Sequence, residues 1–177
     1  MSEIFNPLNA LENIQAFLYA GGNVLVIIMV VTFVMWALLL ERLMYFSFAA
    51  GGFEKKIKRE WAARNDHSSW YAKAVREKMI SEVNAGATQN MAVIKGLVAV
   101  APLLGLLGTV TGMIEVFNVL AVTGSANPKL MAAGISKATI PTMAGLVASL
   151  SGIIMVNILD RAAKKAARVV SEDLEVE

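Results

Sequence analysis

Four polar side chains within long apolar stretches are the residues of this sequence best suited to chemistry. Thr109 and Glu115 lie in one apolar stretch, whereas Lys137 lies at the edge of another and Thr142 lies within it. Charged groups are costly in lipid, so they usually face protein or water and have a partner. Threonine hydroxyls can line a chain of water molecules without carrying a charge, although each can instead bond to its own helix. We therefore interpret the four residues as candidates for a pore or proton pathway.

The acid Glu115 and the base Lys137 have three alternative interpretations. If the two stretches are helices centred near Gly108 and Ala148, Glu115 lies about 10 Å and Lys137 about 16 Å from those centres, towards the same membrane surface, at 1.5 Å per residue. The two side chains could then form an ion pair that locks adjacent antiparallel helices together. Glu115 could instead conduct protons or ions, or it could extend to water.

The composition is typical of a membrane protein. The chain has 177 residues, of which 56% are hydrophobic and 17% charged, and its formal net charge is +2. Soluble domains average about 25% charged and about 45–50% apolar residues, so disorder, a nucleic-acid partner and an ordinary soluble enzyme are excluded. Since the sequence has no cysteine, one histidine and no phosphate-binding loop, we expect no metal site, no cofactor and no catalytic residue.

Three stretches with few charges predict three membrane-spanning helices. Residues 21–40 and 138–159 carry no charged side chain, and residues 96–128 carry only Glu115. A run of about 18 apolar residues can span a bilayer, where the backbone must satisfy its own hydrogen bonds as a helix. We therefore expect an all-α integral membrane protein with a single membrane domain over residues 1–177.

The distribution of lysine and arginine predicts the orientation of these helices. Residues 1–23 have no lysine or arginine, whereas residues 41–95 have ten and the tail has four. Cytoplasmic loops carry the excess of positive charge, so we expect the amino terminus outside and the carboxyl terminus inside. The expected segments are an outer head (1–20), a first span (21–46), a cytoplasmic helical loop (47–92), a second span (93–121), an outer connection (122–133), a third span (134–160) and a cytoplasmic tail (161–177).

The cytoplasmic loop is predicted to form an interrupted helical hairpin. Phe53, Ile57 and Trp61 recur every four residues and give a basic helix one apolar stripe. The polar residues 64–69 interrupt the pattern, and Asp66 or Ser68 could cap the next helix. The hairpin could pack on its neighbours or present a surface to lipid headgroups.

Small residues form a stripe on each of the second and third spans. In lipid, small residues four apart let helix backbones approach closely. Packing within one chain and packing between subunits both satisfy this pattern, and three helices alone enclose no aqueous path. The first span lacks such a stripe and suits contact with lipid. The stripe residues are Gly105, Gly108 and Gly112 on the second span and Gly134, Ala138, Thr142, Gly145, Ser149 and Gly152 on the third.

Two segments around these residues resemble signatures of the MotA/TolQ/ExbB proton channel family. Residues 101–114, APLLGLLGTVTGMI, are similar to its second-span signature, and residues 134–146, GISKATIPTMAGL, to its third-span signature. The plan of three spans with an outer amino terminus resembles that of ExbB and TolQ, whereas MotA-like members have four spans. The resemblance extends over about residues 15–165 and is strongest over residues 95–150.

The resemblance implies a multi-pass subunit of a proton-driven motor in the bacterial inner membrane. ExbB-like subunits form homopentamers whose second and third spans line a central pore, and a dimer of a single-span, ExbD-like partner stands in that pore. The partner's aspartate takes the proton, and the motion reaches outer-membrane transport through a TonB-like protein. Thr109 and Thr142 match the threonines that face this aspartate, whereas Lys137 stands where the family usually has glutamate.

Two other functions remain open beside an ExbB-like role in TonB-dependent transport. A TolQ-like subunit would power outer-membrane maintenance during division. A scaffold that conducts no ions would use the small-residue stripes only for assembly, although the polar line of Thr109, Glu115 and Thr142 argues against it.

A double-mutant cycle distinguishes the interpretations of Glu115 and Lys137. If they form an ion pair, Glu115→Gln and Lys137→Met should each reduce function or stability, because each strands the other charge, and the double variant should partly recover. If Glu115 carries protons, Glu115→Gln stays inactive whatever residue occupies position 137. Energy-coupled uptake and thermal stability in detergent are the two measurements, and strict additivity of the single effects would mean that the side chains do not touch.

Overall fold

The computed structural model of the protein describes residues 7–64, 66–124 and 128–174, and every regular secondary-structure element among them is a helix. Three helical stretches are long and apolar enough to cross a membrane, namely Gly21–Phe48, Trp70–Val122 and Met131–Asp173. The all-α class with three candidate spans is therefore confirmed. The helices are α1 (Pro7–Met44), α2 (Ala50–Ala62), α3 (Trp70–Thr88), α4 (Met91–Thr123) and α5 (Pro128–Asp173), and a π-helical turn, Tyr45–Ala49, joins α1 to α2.

Gly22 interrupts the regular backbone of α1. Its φ of 66° and ψ of −164° lie outside the helical region, so α1 is kinked at this residue. Glycine tolerates a positive φ that a side chain disfavours. A Cβ added at Gly22 would meet nothing within 4 Å, so the conformation alone requires glycine here.

The chain divides into two compact units, each described by itself below. The first unit consists of residues 1–35 and 96–152, and the second of residues 36–95 and 153–177. The first unit contains all four candidate pathway residues. The second unit contains the segment expected to be a helical hairpin.

The second unit has a small apolar core built on the predicted stripe of α2. Ile57 and Trp61 are buried, and Phe53 packs against them, which confirms the stripe. The core is completed by residues of α3 and of the last turns of α5, since Val83, Val170 and Leu174 are also buried.

The start of α3 is capped by Ser69 rather than by Asp66 or Ser68, which corrects the sequence-based expectation. The Ser69 hydroxyl accepts a hydrogen bond from the Ala72 N–H at 3.1 Å. Asp66 supports the cap, because its carboxylate accepts hydrogen bonds from the Ser69 hydroxyl and from the Ser68 and Ser69 N–H groups. These bonds, the one from the Ser69 hydroxyl first, lower the pKa of Asp66. Asp66 therefore orients the serine that bonds the first turn of the helix.

The end of α5 is fixed by one side chain from α2 and one from α3. The Arg76 guanidinium donates to the carbonyls of Leu174 at 2.5 Å and Ser171 at 2.8 Å, which are among the last carbonyls and lack helical partners. Lys58 forms an ion pair with Asp173. The segment expected as a tail from residue 161 is therefore helical and continuous with the third span as far as Asp173.

The first unit is organised by the close antiparallel approach of α4 and α5. A Cβ built on Gly112 would lie 2.6 Å from the Ala138 Cβ, and one built on Gly145 would lie 2.5 Å from the Ala101 carbonyl oxygen. Neither neighbour is the end of a flexible side chain, so only glycine fits at these positions. The small-residue stripes of α4 and α5 therefore lie against each other within this chain.

We expect Gly112→Leu to destabilise the protein by about 3 kcal/mol or more, because overpacking a closed interface forces the backbones apart. Val30→Leu is the matched control, since Val30 is exposed on α1 and a surface change of this size stays within about 0.5 kcal/mol. Thermal unfolding in detergent measures both, and native mass measurement reports assembly. Equal stability and equal assembly of the two variants would contradict this packing.

Candidate functional site

The contacts between α4 and α5 fix which residues lie at the same level. The ring of Pro141 lies against Gly108. Along the pair, Gly105 lies beside Thr142, Gly112 beside Ala138 and Val116 beside Gly134. Both helices continue through their prolines, Pro102 and Pro141. The level of Gly108 on α4 is therefore that of Pro141 on α5, seven residues from the centre at Ala148 assumed from the sequence.

The candidate threonines have different hydrogen-bond partners. The half-buried Thr142 donates its hydroxyl hydrogen to the carbonyl of Gly105 on α4 at 2.7 Å. Thr109 donates to the carbonyl of Leu106 in its own helix at 2.7 Å. The Thr142 hydroxyl thus links α5 to α4, whereas the Thr109 hydroxyl bonds to the preceding turn of its own helix. That both threonines belong to one pore or proton pathway stays a prediction.

Ser149 is a buried polar residue whose role the sequence analysis missed. Its hydroxyl donates to the carbonyl of Val98 at 3.0 Å, and the residue is only 6% exposed. In a regular helix that carbonyl accepts from the N–H four residues on, but residue 102 is proline and has no N–H. Ser149 therefore supplies the donor that Pro102 lacks. The sequence does contain a signal for this role. Pro102 in one apolar helix leaves a carbonyl without a donor, and Ser149 on the small-residue stripe of the other helix offers a hydroxyl group.

A cavity of about 600 Å³ lies between the start of the first span and the ends of α4 and α5 that face their connection. Glu115 and Lys137 both line it, together with Thr111. Its wall is otherwise formed by small and apolar residues, namely Gly21, Gly22, Val24, Gly108, Gly112, Val116, Val119, Leu120, Met131, Gly134 and Ala138, with Asn23 at the α1 side. Thr109 and Thr142 are not part of this lining.

Glu115 and Lys137 are brought to the same cavity without forming an ion pair. Both residues are exposed, and among the described residues no salt bridge of 4.0 Å or less joins them. The helix register also changes their depths. Ala138 lies beside Gly112 and Gly134 beside Val116, so Lys137 lies near the level of Met113, about 3 Å further from the α4–α5 connection than Glu115. Lys137 is therefore the deeper of the two, in contrast to the estimate from the sequence.

Comparison with known proteins agrees with this architecture. The sequence profile described as the MotA/TolQ/ExbB proton channel family matches residues 47–172, which is more than half of the chain. The chain belongs to this family. Its description is that of a proton channel family and not of an enzyme class, and with three apolar helices it makes the chain a multi-pass membrane protein.

Several relatives are named as ExbB-like biopolymer transport proteins. One from Helicobacter pylori is 34% identical over 98 residues, which cover 55% of this chain and 52% of the relative. One from Synechocystis is 44% identical over 66 residues, covering 36% and 26%. The protein exbB1 of Vibrio cholerae is 47% identical over 55 residues, covering 30% and 24%. The chain thus matches about half of the length of the first relative and about a quarter of the other two.

We expect Ser149→Ala to cost about 1–3 kcal/mol, because it leaves the Val98 carbonyl buried without a donor. Ser151→Ala is the control, since the Ser151 hydroxyl bonds to Ala148 in its own helix. In a Pro102→Ala background, where the backbone N–H is restored, the cost of Ser149→Ala should shrink markedly. Thermal unfolding in detergent measures the four variants, and an equal cost in both backgrounds would contradict the assigned role.

Proposed function

We propose that this chain is an ExbB-like subunit of an inner-membrane, proton-driven motor that energises TonB-dependent outer-membrane transport. The observation that carries the proposal is the family match over residues 47–172, together with relatives named as biopolymer transport proteins. The two segments that resemble the family's span signatures are those that pack α4 on α5. The residues that carry the family resemblance are therefore also residues that form the contact between α4 and α5.

The proposed topology has the amino terminus in the periplasm and the carboxyl terminus in the cytoplasm. The lysine and arginine counts support it, since positive loops remain inside. In this topology the hairpin of α2 and α3 and the last turns of α5 are cytoplasmic, and the cavity with Glu115 and Lys137 opens on the periplasmic side. The segment boundaries proposed from the sequence follow the same arrangement.

The proposed assembly is a homopentamer around a central pore. The glycine faces of α4 and α5 are occupied within one chain, so other surfaces must join the subunits. Both helices have large apolar side chains exposed on their remaining faces, which suits contact with further copies or with a partner helix. These include Leu103, Leu106, Val110, Ile114 and Phe117 on α4 and Met143, Leu146, Val147 and Leu150 on α5.

In the proposed mechanism, an ExbD-like dimer with one span per chain stands in the pore and carries the aspartate that takes the proton. Thr109, Thr142, Glu115 and Lys137 are the proposed residues of the pathway on this chain. The Thr142 hydroxyl donates to Gly105 and keeps its lone pairs, so it can still accept a hydrogen bond from water or from a protonated carboxyl group. A TonB-like protein would transmit the motion.

Co-purification tests the assembly directly. We expect the full-length chain, isolated from its native membrane, to bring with it a one-span membrane protein with an aspartate in the span. Five copies of this chain should accompany two of the partner. A complex without such a partner would favour the non-conducting scaffold. Coupling to outer-membrane integrity rather than to nutrient uptake would favour the TolQ-like alternative.

We expect Thr142→Val to leave assembly intact and to reduce energy-coupled uptake by at least about tenfold, since it deletes the hydroxyl but keeps the size. Thr142→Ser is the matched control, because it keeps the hydroxyl that can donate to Gly105. Uptake in cells and native mass of the complex are the measurements. The double variant with Thr109→Val should be inactive, and normal uptake by that variant would contradict a polar pathway.

A further inference from the structure

The cavity at the α4–α5 connection presents one negative and one positive side chain that do not neutralise each other. Glu115 and Lys137 both line it, both are exposed, and no salt bridge within 4.0 Å joins them among the described residues. Charges at the edge of a membrane are usually paired or hydrated. A single ligand with both signs of charge would satisfy the two side chains together.

The uncharged part of α4 before Glu115 is about as long as the hydrocarbon core is thick. The segment of α4 from residue 96 to 114 has no charged side chain, and its nineteen residues extend about 28 Å. This is close to the thickness of the hydrocarbon core, about 30 Å. With this segment in the hydrocarbon core, Glu115 would lie where lipid headgroups begin, and Lys137 would lie about half a helical turn, or about 3 Å, deeper.

The order of the two charges matches that of a phospholipid headgroup with an amine. In such a lipid the phosphate is attached to the glycerol, nearer the hydrocarbon, and the ammonium lies beyond it across two carbon atoms. Lys137, the deeper residue, is placed to meet the phosphate, and Glu115, the outer residue, to meet the ammonium. The apolar wall, which includes Val24, Val116 and Met131, suits the glycerol and the first acyl carbons.

We propose that this cavity binds the headgroup of a phospholipid that carries a primary ammonium, of the phosphatidylethanolamine type. Three N–H donors on the ammonium can reach a carboxylate, whereas the methylated ammonium of phosphatidylcholine has none. Phosphatidylglycerol carries no positive charge and would leave Glu115 beside an anion. The site should therefore prefer phosphatidylethanolamine to phosphatidylcholine, and phosphatidylcholine to phosphatidylglycerol. The proposal requires that α4 and α5 span a membrane, and it does not depend on proton-driven transport.

Lipid retention by the full-length assembly tests this proposal. The protein is delipidated in detergent and mixed with dioleoyl phosphatidylethanolamine, phosphatidylcholine or phosphatidylglycerol, and bound lipid per subunit is counted by native mass spectrometry. We expect phosphatidylethanolamine to be retained about tenfold more tightly than phosphatidylglycerol, the effect of one charge-assisted hydrogen bond. Glu115→Gln should remove this preference, whereas Lys137→Met should weaken retention of both lipids, because it removes the cation that meets the phosphate they share. Glu12→Gln and Lys129→Met are controls, because each removes a like charge from a residue of the same unit outside the cavity lining.

Several results would overturn the proposal. Equal retention of the three lipids, or an unchanged preference in Glu115→Gln, would show that the carboxylate does not recognise an ammonium. A preference for phosphatidylglycerol that only Lys137→Met removes would show a site for anions. Absence of bound lipid in the intact assembly would show that another chain fills the cavity. Equal thermal stabilisation by free phosphoethanolamine and by the lipid would show a site for a soluble zwitterion.

Discussion

The closeness of the α4 and α5 backbones is the constraint on which the rest of the membrane-spanning architecture depends. Side chains at Gly105, Gly112 or Gly145 would collide with backbone or Cβ atoms of the facing helix. In lipid, apolar side chains gain little by leaving the solvent, so close packing and interhelical hydrogen bonds hold helices together. The glycine faces are buried in this contact, and the exposed faces of both helices carry larger apolar side chains.

The same closeness explains how Pro102 is accommodated within the apolar helix α4. Pro102 removes the N–H that the Val98 carbonyl would accept, and Ser149 on the facing helix replaces it at 3.0 Å. A hydroxyl can reach that carbonyl only because the backbones approach so closely. Two turns away on the same face of α5, Thr142 makes a second hydrogen bond between the helices, to the Gly105 carbonyl. Thr142 and Ser149 thus have a structural role, and any role of their hydroxyl groups in proton movement has to use the lone pairs that remain.

The sequence predicted the helical class, the three spans, the family and the apolar stripe of α2, because each is expressed in local pattern or in contiguous motifs. It could not predict which residues of α4 and α5 lie side by side, because nothing in a uniformly apolar run of residues identifies the residue at the centre of the membrane. The assumed centre at Ala148 lies seven residues, about 10 Å, from Pro141, the residue that packs on Gly108. That error reversed the depths of Glu115 and Lys137. The positive φ of Gly22 is a backbone angle that no local sequence pattern encodes. The role of Ser149 depends on a contact with the facing helix, which local patterns do not show either.

Disulfide cross-linking tests most directly whether α4 and α5 pack within one chain. A Cβ built on Gly134 lies 3.5 Å from the Val116 Cβ, which is within the range of a disulfide, and the chain has no cysteine of its own. Val116→Cys combined with Gly134→Cys should therefore oxidise in the intact assembly to a product of monomer mass on a non-reducing gel. A predominantly dimeric product would contradict the account, since it would place the glycine faces between subunits.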